Sequence, residues 1–446
     1  MAQDPIYRAR RDAFFDLMPE DSLAILPAAP VRARNNDVDH EFRQNSDLYY
    51  LSGFPEPESV VLMSRQAGKK TFSMVVRPRD KQREIWDGRR YGVDGARDEF
   101  GADEAYAVAE LTATLQKAME GKRVVLYALG GHESMDEQVL GLLTRARRMK
   151  RSGPGVPVRI HDPAELVHEM RLRKDEAGLT RMRQAAAITV EAHNAAMRAT
   201  RPGMTERQVQ AVVEGTFRIL GSARNGYPCI VAGGDNATIL HYNENDQPLN
   251  EGDLLLIDAG AEYDYYTADV TRTFPVSGRF TEAQREIYQI VLDAQLASID
   301  HCRPGNTFDG VHDVSVRVLT EGLVKVGLLE GDVDQLIESG EYKRFYMHRT
   351  GHWIGMDVHD VGEYFDEQGA SRVLSPGMAL TVEPGLYIAP DDLDADERYR
   401  GIGIRIEDDI VVTDGEPLNL TSACPKSIDE IEGLMAQPAP AFPSIP

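Results

Sequence analysis

The chain has 446 residues, which is more than one ordinary hydrophobic core accommodates, so we expect two domains. Its formal net charge of -23 disfavours binding to nucleic acid through a broad basic surface. Three widely spaced cysteines, Cys229, Cys302 and Cys424, argue against a disulfide framework, and neither a signal peptide nor a membrane-spanning segment is predicted. These features predict a cytoplasmic protein that binds neither nucleic acid nor membranes.

The first third of the chain alternates short strands and helices, which predicts an α/β domain. Strands are expected at residues 21–29, 58–65, 70–78 and 122–129, where β-branched or leucine-rich runs are bounded by Pro, Gly or charge. A helical pattern covers residues 94–121 and stops at Gly121. The basic, then Gly/Pro-rich stretch at 147–160 is expected to form a loop.

A second domain follows a long helical pattern that runs from Pro163 to Pro202. We place the domain boundary in this pattern, which predicts domains at 1–172 and 173–434 and a Pro-rich tail at 435–446. Further helices are predicted at 204–220 and 281–299, interleaved with strands. The predicted fold class is therefore a mixture of helices and strands, α/β (α+β).

Two aspartates lie on a predicted hairpin in the second domain. Residues 254–259 and 267–274 form its arms, with Asp258 on the first arm and Asp269 on the second. If the hairpin is symmetric about Tyr263–Asp264, the two aspartates lie directly opposite each other, with Cβ atoms ~4.5–5.5 Å apart. Two carboxylates that close repel each other unless a cation lies between them. The alternative is a pair of turn or edge acids without a metal.

A second segment places three histidines within twelve residues. His352 is the expected ligand because Gly351 and Gly355 let the backbone approach closely, which leaves His348 and His359 as hydrogen-bond donors. Each of these histidines, taken alone, is more often structural.

Two further acids end or follow apolar strands. Glu383 ends an apolar run before Pro-Gly, and a buried carboxylate there must be paired, protonated or metal-bound. In the alternating segment 401–412, Glu407 faces the same side as Arg405, although a surface Arg–Glu pair is the alternative. His241 follows an apolar pair upstream of the hairpin and is a weak signal by itself.

Together these segments supply one histidine and four carboxylates, which is a ligand set for two divalent cations. The set comprises Asp258, Asp269, His352, Glu383 and Glu407. A pair of metal ions activates water and polarises a carbonyl oxygen. Hydrolysis of a peptide-like bond is therefore the leading hypothesis, since no GxSxG elbow, P-loop or GxGxxG turn supports a serine hydrolase or a nucleotide-binding protein.

The same segments resemble the catalytic domain of the pita-bread metallopeptidases. Residues 241–246, 254–281, 348–364, 377–388 and 403–413 carry the resemblance, which is closest to the aminopeptidase P (Xaa-Pro aminopeptidase) family. Residues 34–63 and 83–92 resemble the first domain of that family. The step Arg349-Thr350-Gly351 differs from the Gly-rich versions of the histidine motif.

The resemblance implies roles for individual residues. The four acids and one histidine named above are the implied ligands, with Asp269 and Glu407 bridging both ions and Glu383 also relaying a proton. His241, His348 and His359 match substrate-contacting histidines, Arg405 a site arginine and Tyr227 a pocket tyrosine, while Trp86 is expected to reach the site of a neighbouring subunit.

The implied activity is removal of the first residue from peptides with proline at position two. The resemblance implies a dinuclear Mn²⁺ centre, with Co²⁺ or Zn²⁺ also possible, and a homodimer or homotetramer. The alternatives are a prolidase acting on Xaa-Pro dipeptides, creatinase-like C–N hydrolysis on the same fold, and a non-catalytic binding module that has lost its metals.

Overall fold

The computed structural model describes residues 4–148 and 157–439. The chain divides into two compact units, residues 1–170 and 171–446. Most of the predicted loop at 147–160 and of the predicted tail at 435–446 lies outside the described residues. Within those described, none of the helices combines the length and apolar character that crossing a bilayer requires.

The first unit is built around one mixed sheet. Its strands are β1 (Ser22–Pro27), β2 (Ala33–Asn35), β3 (Val38–Asp39), β4 (Val60–Gln66), β5 (Lys69–Val76), β6 (Glu104–Ala107), β7 (Val124–Leu126) and β8 (Arg159–His161). Its helices are α1 (Pro5–Leu17), α2 (Ser46–Ser52), α3 (Lys81–Asp87), α4 (Gly92–Asp98), α5 (Leu111–Met119) and α6 (Glu133–Arg148), and α7 (Ala164–Leu172) crosses the division between the units. Six strands pair in the order β6-β5-β4-β1-β7-β8, with both parallel and antiparallel neighbours. The four predicted strands are confirmed.

The predicted helix at 94–121 is wrong in its middle. The structure has α4, then strand β6, then α5 in this range. Gly101 has a φ of 71°, a left-handed conformation that ends the first helix. Glu104–Ala107 then pairs in parallel with Ser73–Val76 of β5. Tertiary pairing with the sheet outweighs the local helical pattern here.

The second unit packs long helices against several small sheets. Its helices are α8 (Glu176–Ala199), α9 (Glu206–Ile219), α10 (Glu282–His301), α11 (Phe308–Lys325), α12 (Val333–Ser339) and α13 (Ile428–Met435). Its strands are β9 (Arg224–Asn225), β10 (Ile230–Gly233), β11 (Leu254–Asp258), β12 (Ala261–Tyr263), β13 (Tyr266–Thr267), β14 (Thr271–Pro275), β15 (Ala379–Val382), β16 (Gly385–Tyr387), β17 (Gly403–Arg405), β18 (Asp408–Val411) and β19 (Leu418–Asn419). They pair in the orders β10-β11-β14, β13-β12-β9, β15-β18-β19 and β16-β17. The largest apolar core lies between these strands and α8 to α11.

The helical pattern from Pro163 to Pro202 forms two helices instead of one. Helix α7 ends at Leu172 because Arg173 pairs with Met378 as an isolated bridge and the Lys174 N–H donates to the Gly377 carbonyl. The Asp175 side chain accepts a hydrogen bond from the Gly178 N–H and so caps α8. Helices α9 and α10, each starting with a capping box, confirm the predicted helices at 204–220 and 281–299.

A buried ion cluster joins β14 to β18. Arg272 Nη2 donates to Asp408 Oδ1 at 2.8 Å, and both side chains are fully buried. Lys426 Nζ donates to Asp408 Oδ2 at 2.7 Å, and Thr421 Oγ1 donates to Asp408 Oδ1 at 2.8 Å. Although burial opposes ionisation, the charges of Arg272 and Lys426 hold the pKa of Asp408 below its ordinary value. The cluster therefore fixes two strands that adjoin predicted ligands.

We expect Asp408→Asn to lower the free energy of unfolding by about 3–5 kcal/mol, because it leaves buried cations without a counter-charge. Urea unfolding followed by circular dichroism measures this change. Asp334→Asn is the matched control, because Asp334 pairs with Arg317 at an exposed position and such a pair contributes about 1 kcal/mol or less. Equal stability of the two variants would contradict the role assigned to Asp408.

Candidate metal centre

Three of the predicted ligands converge from distant parts of the second unit. One ligand atom from each of Asp269, His352 and Glu407 lies within 4.8 Å of the others. His352 Nε2 is 3.4 Å from Asp269 Oδ2 and 3.6 Å from Glu383 Oε1, which adds a fourth predicted ligand. The cluster thus joins residues that are up to 138 positions apart in sequence, since 407 minus 269 is 138.

Asp258 joins the cluster through Tyr227 and Arg405. The Tyr227 hydroxyl lies 2.6 Å from Asp258 Oδ1 and also contacts Asp269 Oδ1. Arg405 Nη2 donates to Asp258 Oδ2 at 2.7 Å. The structure therefore brings all five predicted ligands together, and Tyr227 and Arg405 lie against them.

The predicted register of the aspartate hairpin is wrong by two residues. Asp258 pairs with Thr271 and Tyr263 pairs with Tyr266, so the hairpin turns at Asp264–Tyr265. Both turn residues have positive φ values, 47° and 66°, as a type I′ turn requires. Because side chains alternate with a period of two, this shift leaves Asp269 on the same face as Asp258. The two carboxylates are thus diagonal neighbours, and Tyr227 bridges them.

His352 is oriented by its own backbone surroundings. A Cβ atom on Gly351 would lie 2.0 Å from the Thr381 carbonyl oxygen, so only glycine allows this approach. The His352 N–H donates to Thr381 Oγ1 at 3.1 Å, and the Thr381 N–H donates to the His352 carbonyl at 2.9 Å. Nδ1 lies 3.0 Å from the Trp353 carbonyl, which assigns the proton to Nδ1 and turns the Nε2 lone pair towards the carboxylates.

The alternative of a surface Arg–Glu pair at residues 405 and 407 is wrong. Both side chains are almost completely buried. The Thr271 hydroxyl accepts from Arg405 Nε at 3.2 Å and donates to Glu407 Oε2 at 2.6 Å, so both residues face the same side, as predicted. Glu383 directly follows β15, which matches its predicted place after an apolar run.

Burial and the charge of the cluster shift the pKa values of its acids. Burial and the charge of Asp258 raise the pKa of Asp269 to about 6, and burial raises the pKa of Glu383 to about 7. Burial and the charges of Asp269 and Glu383 raise the pKa of Glu407 well above its ordinary value. Burial also acts on Asp258, but Arg405 and Tyr227 hold its pKa below the ordinary value.

The protonation state of His352 reflects the same acids. Burial opposes its protonation, yet the hydrogen bond with Asp269 and the charge of Glu383 raise its pKa to about 9. Acids that resist joint ionisation and an imidazole drawn towards a proton indicate a place for positive charge. The donor set fits two divalent cations, since carboxylate oxygens can bridge hard ions and imidazole can complete their coordination.

A cavity of about 730 Å³ opens beside the cluster, within the size range of ligand pockets. Its wall includes the three predicted substrate-contacting histidines, His241, His348 and His359. The rings of His359 and His352 pack edge to face with centroids 4.4 Å apart. Burial and the neighbouring His352 lower the pKa of His359, which favours the neutral ring.

His348 is held by a chain of hydrogen bonds. Burial lowers its pKa to about 4, so the ring is neutral. Nδ1 lies 2.7 Å from the Arg349 carbonyl and carries the proton, and Nε2 accepts from the Tyr387 hydroxyl at 2.9 Å. Arg405 Nη1 donates to that hydroxyl at 2.9 Å. Both ring nitrogens therefore bond to protein groups, and a substrate contact by His348 stays a prediction.

One predicted site residue, Trp86, lies in the first unit, and three residues that contact the site were not predicted. Trp86 lies on α3 of the first unit with a side chain that is 85% exposed, and its role stays a prediction. Thr271, Tyr387 and Asp409, which accepts the Asp269 N–H at 3.1 Å, were missed. Thr271 could have been found, because it lies two residues after Asp269 on the same strand face. Tyr387 and Asp409 carry no comparable signal.

Comparisons with known proteins identify the family of the chain. Residues 180–414 match the model of Metallopeptidase family M24, and residues 7–127 match that of the aminopeptidase P N-terminal domain. The chain belongs to metallopeptidase family M24. The predicted family and fold class, an N-terminal α/β domain followed by a pita-bread domain, are confirmed.

Curated and solved relatives extend along nearly the whole chain. An Xaa-Pro aminopeptidase of Escherichia coli is 45% identical, and the match covers 96% of this chain and 97% of that protein. Xaa-Pro aminopeptidase 3 of Homo sapiens is 34% identical, and the match covers 94% of this chain and 81% of that protein. The structure of Pseudomonas aeruginosa aminopeptidase PepP superposes with a TM-score of 0.94 at 47% identity, covering 98% of this chain and 99% of that one.

We expect Asp269→Asn to abolish stoichiometric metal binding, because a neutral amide replaces a central carboxylate. Inductively coupled plasma mass spectrometry of the purified protein measures metal per chain. Asp264→Asn is the matched control in the same hairpin, since Asn is well suited to a positive-φ turn position. A full metal complement in the Asp269→Asn protein would refute the assignment of this ligand.

Proposed function

We propose that this chain is a metallo-aminopeptidase that hydrolyses the bond between the first residue of a peptide and a proline at position two. The observation that carries the proposal is the convergence of four carboxylates and one imidazole beside a cavity of about 730 Å³. Its relatives are named Xaa-Pro aminopeptidases, which confirms the activity predicted from the sequence. The family is one of metallopeptidases, which agrees with a metal-dependent hydrolase.

Asp258, Asp269, His352, Glu383 and Glu407 would hold two divalent ions. When bound, such a pair of ions lowers the pKa of water and polarises a carbonyl oxygen. We assign Mn²⁺ to the site because an oxygen-rich donor set suits it, with Co²⁺ or Zn²⁺ as alternatives. A zinc-substituted form of Escherichia coli aminopeptidase P has been solved with product, so that relative accepts zinc.

The side chains around the cluster have separate roles in the reaction. Glu383 accepts a proton from the attacking water and returns it to the departing proline nitrogen. His359 and His241, both in the cavity wall, donate hydrogen bonds to the carbonyl oxygen as it gains negative charge. Arg405 keeps Asp258 ionised and oriented through the 2.7 Å contact. The substrate amine approaches the carboxylate cluster, which restricts cleavage to the first bond.

The wall of the cavity also suits proline. The Xaa-Pro bond lacks an N–H and proline fixes φ, so a site for it needs shape and apolar contact more than a hydrogen-bond acceptor. Phe308, Tyr364 and Phe365 line the same cavity as the histidines. Phe308 packs against Trp353 and Tyr364 with ring centroids 4.7 and 4.8 Å away, so aromatic rings form this part of the wall.

We expect His359→Ala to lower kcat by about 10²–10³-fold while metal content stays unchanged, because one donor to the oxyanion is lost. His359→Gln is the matched variant and should retain part of the activity, since its amide can still donate. Steady-state kinetics together with metal analysis distinguish this outcome from loss of the ions. Unchanged kcat in His359→Ala would exclude the residue from the reaction.

The whole proposal is tested by mass spectrometry of Xaa-Pro peptides of graded length. We expect release of the first residue from Ala-Pro-Pro, no release from Ala-Ala-Pro, loss of activity with a chelator, and recovery with Mn²⁺. The same panel decides between the alternatives. Cleavage restricted to Xaa-Pro dipeptides would indicate a prolidase, and the absence of both turnover and metal binding would indicate a binding module.

Assembly and compartment are further parts of the proposal. We assign a homodimer or homotetramer, supported by the exposed Ile85 and Trp86 on α3, and light scattering tests it. A cytoplasmic location is supported by three buried, unpaired cysteines, which suit a reducing compartment. A monomer at micromolar concentration would contradict the first assignment, and export in fractionated cells the second.

A further inference from the structure

Arg349 is an exposed cation in the wall of the cavity. Its side chain is 53% exposed, although it lies between His348 and the metal-binding segment. Its carbonyl oxygen accepts a hydrogen bond from His348 Nδ1, which fixes the backbone at this position. This residue lies in the step that differs from the Gly-rich versions of the motif, and the mechanism above does not use it.

Asp309 holds the guanidinium at this position. Arg349 Nη2 donates to Asp309 Oδ1, and Asp309 lies in the first turn of α11, where its N–H donates to Ser371 Oγ at 2.9 Å. This contact uses one of the five N–H donors of the guanidinium. The others can bind a second carboxylate, for which the planar fork of arginine is suited.

Arg405, the other arginine in the cavity wall, cannot bind the carboxylate of a ligand in this way. Arg405 is buried and is occupied by Asp258, Thr271 and the Tyr387 hydroxyl. A carboxylate group of a ligand that enters the cavity from solvent therefore meets Arg349.

The direction in which a peptide binds also places its carboxyl end near Arg349. Its ammonium group is attracted to the carboxylate cluster, so its carboxyl end extends towards the exposed side of the cavity. Each extended residue advances the chain by about 3.3–3.6 Å. The carboxylate of a tripeptide then lies only two residues beyond the scissile bond, close to the wall that carries Phe308 and Arg349.

We infer that Arg349, positioned by Asp309, binds the terminal carboxylate of short substrates and makes the enzyme favour Xaa-Pro tripeptides with a free carboxyl end. The inference rests on the proposed function, since it takes the cavity as the peptide site. An acidic side chain at the third position offers the same chemistry, and the experiment separates the two sources.

The experiment compares kcat/KM for Ala-Pro-Ala and its C-terminal amide. A partly exposed ion pair is worth up to about 1 kcal/mol, so we expect the wild type to favour the free acid by about fivefold. In Arg349→Gln the ratio should fall to about one, and in Arg349→Lys part of it should remain.

The matched control is Arg317→Gln, which changes an exposed arginine of α11 that pairs with Asp334 and does not line the cavity. It should keep the wild-type ratio. A wild-type ratio near one, or the same ratio in wild type and Arg349→Gln, overturns the inference. If Arg349→Gln changes only the preference for Ala-Pro-Glu amide over Ala-Pro-Gln amide, the terminal carboxylate is not the ligand and the inference is also overturned.

Glu383→Ala is measured beside these variants to separate this inference from the proposed function. If the cavity is not the site of hydrolysis, Glu383→Ala keeps its activity on both peptides. If only the inference fails, Glu383→Ala is inactive and the ratio is insensitive to Arg349.

Discussion

Four carboxylates that converge in one buried cluster are the constraint on which the catalytic unit depends. Like charges at this separation cannot all be ionised in a poorly solvated site unless positive charge offsets them. Burial, together with this repulsion, raises the pKa values of Asp269, Glu383 and Glu407. Cations held by these acids would relieve the repulsion, so the feature that is costly for the fold is also the one suited to binding metals.

The surrounding residues keep this cluster in place. Arg405 and Tyr227 stabilise the ionised form of Asp258, and Thr271 joins Arg405 to Glu407. One layer further out, Arg272 and Asp408 fix the neighbouring strands with a fully buried ion pair. The acids therefore remain close together because paired charges and hydroxyl groups around them oppose their separation.

Two of the candidate ligands could be predicted from the sequence because each one ends an apolar run. Glu383 after β15 and Asp258 at the end of β11 are acids where burial is expected, and burial demands a partner. The register of the hairpin could not be predicted, since it depends on two residues at Asp264–Tyr265 that adopt positive φ values. Likewise, β6 is a strand only because β5 offers it an edge.

The sequence by itself determined the family, the fold class, and the types and order of the candidate ligands along the chain, because these follow from local patterns and motif spacing. Only the tertiary structure decided which groups meet: that Tyr227 bridges two aspartates, that Tyr387 links Arg405 to His348, and that Arg349 faces the cavity beside Asp309. The physical reason is that hydrogen bonds and ion pairs act over a few ångströms in space. Sequence separation carries little information about that distance once strands and helices have packed.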